Sequence, residues 1–248
     1  KSRIINFYAA LLLRFVCHTE KIFYLWWQPK GIFINFHTMI ENRTFEKISF
    51  TDTVFEDEYY NCTFISCDFS NVIFRQTDFD RCTFSTCNLS MSKFKNALRN
   101  ISFIDCKMTG VDFSEINRFS GDLIFENSHL DYGNFVAVKL QKTIFRNCKM
   151  YETYLDNADI KNSIFEHCNL ERASFAGTNL EKVDFSTAFN FSINPAACKL
   201  KKTVFSEDNL RGLVDHLNII IKWRAIFPFL SLSFKLSLFS YKENIYQI

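Results

Sequence analysis

The chain of 248 residues has only 6 glycines and 3 prolines. So few backbone breakers exclude a loop-rich or collagen-like polypeptide. It also lacks an excess of either charge. With 29 Lys+Arg against 27 Asp+Glu, the formal net charge is +2, which alone names no partner. No G-x-x-x-x-G-K-[ST], H-E-x-x-H or G-x-S-x-G motif occurs. Nothing therefore points to a phosphate-cradling loop, a zinc-protease helix or a nucleophile elbow. His129, His167 and His216 fall on outward or helix-surface positions. No enzyme, metal or cofactor is expected. The apolar stretch 4–13 follows Lys1 and Arg3 but leads to no cleavage signature, and 225–240 is broken by Pro228 and Lys235. The first does not read as a signal peptide nor the second as a membrane span, and a membrane-attached protein is the rival reading only if the two ends belong to the native chain.

What the chain does have is phenylalanine, 30 times. From Phe125 to Phe185 every fifth residue is large and apolar, through Leu130, Phe135, Leu140, Phe145, Met150, Leu155, Ile160, Phe165, Leu170, Phe175 and Leu180. At 48% apolar composition, such a run arises by chance roughly once in ten thousand trials. Two residues before each centre stands a mostly small or β-branched residue, such as Thr143, Cys148, Thr153, Ala158, Ser163 and Cys168. The same pattern runs from Phe64 to Phe94, with Cys62, Cys67, Cys82 and Cys87 in the small position. A period of five is neither the 3.6 of a helix nor the 2 of a strand. It predicts a coil of straight faces joined by turns, with two inward side chains per face and three outward. One coil cannot bury its own centres, so coils must stack.

Phe and aliphatic centres alternate, and Cys62 to Cys82, Cys67 to Cys87 and Cys148 to Cys168 are each twenty apart. Four faces per coil follow. Phe125, Phe145, Phe165 and Phe185 would then form one ladder of rings near the 4.8 Å strand spacing. The cysteines are small core residues in this register. Nine of them, locked to the repeat, do not suggest a disulfide framework, and a reducing cytoplasm is expected.

The repeats CDFSN, CNLSM, VDFSE, ADIKN, CNLER, TNLEK and VDFST resemble the pentapeptide-repeat family across roughly 43–210. The resemblance implies a right-handed quadrilateral β-helix, an all-β solenoid, over 39–206. CNLSMSKFKNA followed by CKMTGVDF, and KLKKTVF with LRGLVDHLNIII, are similar to the Qnr quinolone-resistance branch of that family. That branch implies a bacterial DNA mimic acting on type II topoisomerases, DNA gyrase or topoisomerase IV, and a homodimer joined end to end through a C-terminal helix and strand. The alternative reading is a general protein–protein interaction scaffold. No direct nucleic-acid binding is expected.

The register slips at Phe55 to Phe64, at Phe94 to Phe103 and at Phe113 to Phe125. The last predicts a protruding loop over 114–122. Partner-binding candidates are Glu115, Asn117, Arg118 and Asp122 there, Glu56, Asp57 and Glu58 beside the first slip, and Glu152, Asp156 and Asp159 in the long run. After Phe205, Leu210, Leu213, Val214 and Leu217 predict an amphipathic helix, with a short strand at 218–221. These four and Ile219 are the dimer-interface candidates, in a C-terminal helix-and-strand segment at 207–222.

The ends differ from the middle. Between 39 and 222 there are 21 Lys+Arg and 25 Asp+Glu, whereas the flanks carry 8 basic residues and only Glu20 and Glu243. Residues 1–38 show no five-residue register and read as a non-native or disordered upstream extension. Residues 223–248 read as a read-through or apolar tail.

Overall fold

A large apolar residue recurs every five positions because the backbone turns a corner at that interval. The computed structural model describes residues 13–16, 22–25, 37–51, 55–116, 119–217 and 219–221. Residues 1–217 form one compact unit and 218–248 another; the solenoid lies in the first. Expectations for most of 1–38 and for 223–248 fall outside the described residues.

The solenoid is the quadrilateral β-helix that the repeats predict. Face A carries the most regular strands, among them Thr44–Glu46, Thr63–Ile65, Thr83–Ser85, Ile144–Arg146 and Ile164–Glu166. They pair in parallel with their centres in line, Phe45, Phe64, Phe84, Phe103, Phe125, Phe145 and Phe165. On face B the residues before the centres bridge in the order Ser49, Asp68, Asn88, Lys107, His129, Lys149, Asn169. Face C continues Lys93, Asp112, Asn134, Tyr154, Ser174, and face D Lys139, Asp159, Asn179, Lys199.

The face A rings form an uninterrupted stack. Phe45, Phe64, Phe84, Phe103, Phe125, Phe145, Phe165, Phe185 and Phe205 follow one another with centroids 4.7–5.5 Å apart. Eight such steps make about 40 Å, as expected for layers at strand spacing. On face C a shorter stack joins Phe74, Phe94, Phe113 and Phe135, and rings of the two faces meet edge to face, as Phe125 and Phe135 do. Both geometries suit the ring quadrupole. The small inward residue of each face fills the remaining space and satisfies its own polar atom. Ser163 Oγ donates to Leu140 O at 3.0 Å, Thr178 Oγ1 to Leu155 O at 2.8 Å and Cys148 Sγ to Phe125 O at 3.4 Å. Among the described residues Ser92 Oγ is the exception, buried with no hydrogen-bond partner.

The corners explain how a chain with little glycine turns so often. Among the described residues, twenty-three non-glycine residues adopt positive φ, and nine of them are asparagine, the side chain that tolerates the left-handed region best after glycine. Most stand two places after a centre, for example Asn127, Asn147 and His167 after successive face A phenylalanines. Gly177 (φ +73°) fills such a corner where a Cβ would meet Asn157 Oδ1 at 2.3 Å.

The slips are absorbed within coils. Face D is shortened by one residue twice, and the centres there are Tyr59 and Leu98, both buried. Tyr59 stacks on Phe79, and burial pushes its phenol up to about 12. Part of the expected loop over 114–122, residues 119–122, is strand. Ile116 packs against the core, and the strand Phe119–Glu126 lies parallel to Leu98–Ile104 with a bulge beside Asn100. A bulge stores an extra residue without leaving the ladder.

Both ends depart from the repeat. Strands Leu13–Val16 and Ile22–Leu25 pair antiparallel, and the second pairs with His37–Glu41, which lies parallel to Glu58–Tyr60. At the other end, the expected amphipathic helix is two tight 3₁₀ turns, Glu207–Leu213 and Asp215–Leu217. Asn209 Nδ2 ties the first turn to Phe185 O (2.7 Å) and Ala188 O (3.1 Å). Gly212 lies so close to Phe191 that a Cβ would meet the ring at 2.4 Å. Those two anchors hold the segment close against the last coil. Residues 219–221 adopt no strand.

Removing one ring from the long stack tests this account. Phe165→Ala leaves a cavity between Phe145 and Phe185 and should cost about 3–5 kcal/mol in chemical denaturation. Glu166→Gln, on the neighbouring outward position, should cost under about 1 kcal/mol. Equal losses would contradict the register.

Candidate interaction surface

Stacking puts outward side chains in columns, each directly over the residue one coil below. Opposite charges in a column attract and like charges repel, and much of the surface consists of such pairs. Arg146 lies between Glu126 (3.3 Å) and Glu166 (2.7 Å). Arg99 reaches Glu58 (3.1 Å), Asp78 (3.5 Å) and Asp80 (3.1 Å). Lys161 pairs with Glu181 at 3.0 Å.

The acidic candidates from the sequence are mostly engaged in this way. Asp57 Oδ2 accepts from Thr38 N (2.8 Å) and Thr38 Oγ1 (3.2 Å), while Glu58 holds Arg99; Glu56 is half-buried beside them. Glu152 pairs with Arg172 at 2.8 Å. Asp156 accepts from Ser174 Oγ and Ala176 N, and Asp159 from Gln141 and Asn179. These last three acids are close in sequence but lie at successive positions around one coil, so they make no common patch. Asp122 is exposed, its amide donating to Asn100 Oδ1 at 3.3 Å. Asn117 and Arg118 lie outside the described residues. Glu115 contacts both Lys93 and Lys95. Those two ammonium groups hold its carboxyl below the usual carboxylate range.

Two groupings escaped the sequence reading. The first is an exposed edge between faces B and C. Tyr132 and Tyr151 meet edge to face at 5.6 Å, and Arg172 lies over the Tyr151 ring at 5.6 Å while donating to its hydroxyl at 3.0 Å. Tyr154 stands in the next column, 45% exposed, and Tyr132 is 48% exposed. The second is a set of lysines on face D. Lys139 and Lys199 share one column, and Lys142, Lys182 and Lys202 take equivalent corners at positive φ. The signal for both is a spacing of about twenty between outward residues, an interval that the sequence displays most plainly in the inward ones.

At the C-terminal end a cleft of about 620 Å³ is lined by Phe189, Phe191, Asp208, Arg211 and their neighbours. Of the dimer candidates, Leu210 and Leu217 are 47% and 55% exposed, Val214 is half-buried, and Leu213 packs on the core. Ile219, in the second unit, is exposed. The described cysteines are free. A neighbouring thiol and burial together push the Cys82, Cys106 and Cys168 thiols up. Among the described residues, no three of His, Cys, Asp and Glu are grouped to hold a metal ion, and no helix is long and apolar enough to cross a membrane.

The Glu115 clamp makes a pH-dependent prediction. A lowered carboxyl pKa contributes stability that is complete above the ordinary glutamate value of about 4.3. That contribution fades as pH falls through the lowered folded-state value. In an NMR titration the Glu115 carboxyl should have a midpoint below that of free glutamate, and Lys93→Gln with Lys95→Gln should raise it. An unmoved midpoint in the double variant would remove the clamp from the account.

The solved structure of full-length QnrB1, described as a plasmid-mediated fluoroquinolone resistance protein, is 19% identical over 73% of this chain and 100% of that one, with a TM-score of 0.48. HetL, a pentapeptide repeat protein involved in heterocyst differentiation regulation from the cyanobacterium Nostoc sp. strain PCC 7120, is 13% identical over 72% of this chain and 89% of its own, with a TM-score of 0.30. No curated protein matches. The family described as a pentapeptide repeat region matches residues 58–135 and 119–189. Those two matches together span more than half of the sequence, and they coincide with the stacked coils described above: the chain belongs to the pentapeptide-repeat family.

Proposed function

We propose that this protein is a non-catalytic rod that binds a protein partner through its outward columns. The observation that carries this reading is the edge formed by Tyr132, Tyr151, Tyr154 and Arg172. Tyrosine and arginine are the residue types that dominate binding hot spots. Tyr132, Tyr154 and Arg172 are exposed, and ring packing and the Arg172 hydrogen bond order Tyr132, the half-buried Tyr151 and Arg172 among themselves, so little side-chain entropy of these three is lost on binding. The 114–122 segment, with Glu115 and Asp122, is a second contact region in this reading.

The sequence resemblance to the quinolone-resistance branch nominates a type II topoisomerase as the partner. The mixed charge of the columns favours docking on the enzyme's surface over substituting for its DNA, since a DNA substitute needs a continuous negative face. The assay is supercoiling by the source organism's gyrase with a fluoroquinolone present. The full chain should restore activity, and Tyr132→Ala with Tyr154→Ala should lower the rescue at least tenfold while circular dichroism is unchanged. Rescue that the double variant matches would sink the tyrosine edge. No rescue, with a different protein recovered from source-cell lysate in a Tyr132-dependent way, would leave the scaffold and remove gyrase.

The C-terminal end is proposed as a homodimer contact, because Leu210 and Leu217 expose apolar surface on the segment that closes the solenoid. Leu210→Asp with Leu217→Asp should convert a dimer to a folded monomer in sedimentation. A wild-type chain that already sediments as a monomer would end this idea.

A further inference from the structure

The face D lysines have no role in the tyrosine edge or the C-terminal contact. They cover four successive coils. In the columns of 139–142, 159–162, 179–182 and 199–202 the outward residues are all charged or amide side chains, with no aromatic or aliphatic group among them. Asp159 is occupied by Gln141 and Asn179, and Glu181 by Lys161 at 3.0 Å. Glu181 also feels Lys201 and Lys182, and with Lys161 they hold its carboxyl low. The remaining cations, Lys139, Lys142, Lys182, Lys199, Lys201 and Lys202, are exposed. None of the six forms an ion pair among the described residues.

We propose that this lysine array binds the phosphate backbone of duplex nucleic acid. The array is straight, rigid and parallel to the rod axis. Three coil steps of about 5 Å give roughly 15 Å, the length of about four phosphates along one strand at 3.4 Å each. Lysine and amide side chains are ordinary phosphate contacts, and Asn162 supplies an amide within the array. A single strand would need stacking platforms and an anionic membrane an apolar anchor, and the array presents neither. Binding through phosphates alone is independent of sequence and steeply salt-dependent. The sequence reading expected no such contact, because these lysines are dispersed along the chain among residues that face other ways.

The test is fluorescence anisotropy of a labelled mixed-sequence DNA duplex with the full chain. At about 150 mM salt the dissociation constant should lie between about 1 and 100 µM. Four phosphate contacts should weaken binding on the order of a hundredfold between about 50 and 200 mM salt. Lys182→Gln, Lys199→Gln, Lys201→Gln and Lys202→Gln together should reduce affinity at least tenfold and flatten the salt slope, with the fold intact by circular dichroism. Lys107→Gln with Lys149→Gln, on face B, should change little. That comparison separates face D from the exposed lysines of face B, and the loss in the fourfold variant separates it from the unaltered basic residues of the chain ends. Binding unaffected by the four substitutions overturns the assignment, as does an unresponsive duplex. Capture by phosphatidylserine vesicles or poly-glutamate without duplex binding also overturns it, in favour of a lipid or an acidic protein.

Discussion

Every other feature of this molecule depends on the fact that a coil cannot bury its own centres. A phenylalanine pointing into the square of a single coil would meet solvent above and below. It is covered only when the next coil places another flat group over it at strand spacing. The stack from Phe45 to Phe205 is that constraint repeated. It requires each face to be short, each corner to bend sharply and each small inward residue to satisfy its polar atom on the coil below, as Ser163 does on Leu140. The left-handed corners carry local strain, which persists because the stacked core over-determines them.

The same constraint writes the surface. Columns bring residues far apart in sequence to cross-strand distance, and their charges must be reconciled there. Arg99 joins three carboxylates from two coils, and Arg146 joins one on each side. Acidic residues that look like a ready anionic stripe in sequence are thereby neutralised within the rod. Where reconciliation is incomplete, on face D, the unbalanced sign is positive.

The period of five was legible because the core demands it at nearly every face, and the phenylalanine positions followed directly. Tyr59 and Leu98 were not recognised as centres, because a face shortened by one residue breaks the count while leaving the ladder intact. The segment after Phe113 looked like a loop for the converse reason: a bulge adds residues to a strand without adding a repeat. At the C-terminal end, Leu210, Leu213, Val214 and Leu217 have helical spacing, but Asn209 and Gly212 fasten the segment to the last coil and tighten it into 3₁₀ turns. The acidic candidates were grouped by proximity in sequence, which is a poor guide where five residues move a side chain to another face. Tyr132 with Tyr151, and Lys182 with Lys202, are neighbours because they lie about one coil apart.

Coil length is less strict than coil spacing. From Phe45 the face A phenylalanines are separated by 19, 20, 19 and 22 residues, then by 20, yet the rings remain 4.7–5.5 Å apart throughout. Contour and pitch are thus decoupled. A mutation that adds or removes one residue at a corner alters local relief without moving anything further along the axis, whereas a duplicated coil displaces everything beyond it by one fixed increment. Binding features on such a rod can drift apart over evolutionary time only in whole steps of about 5 Å, like marks on a ruler whose divisions are set by the thickness of a phenyl ring and a β-strand.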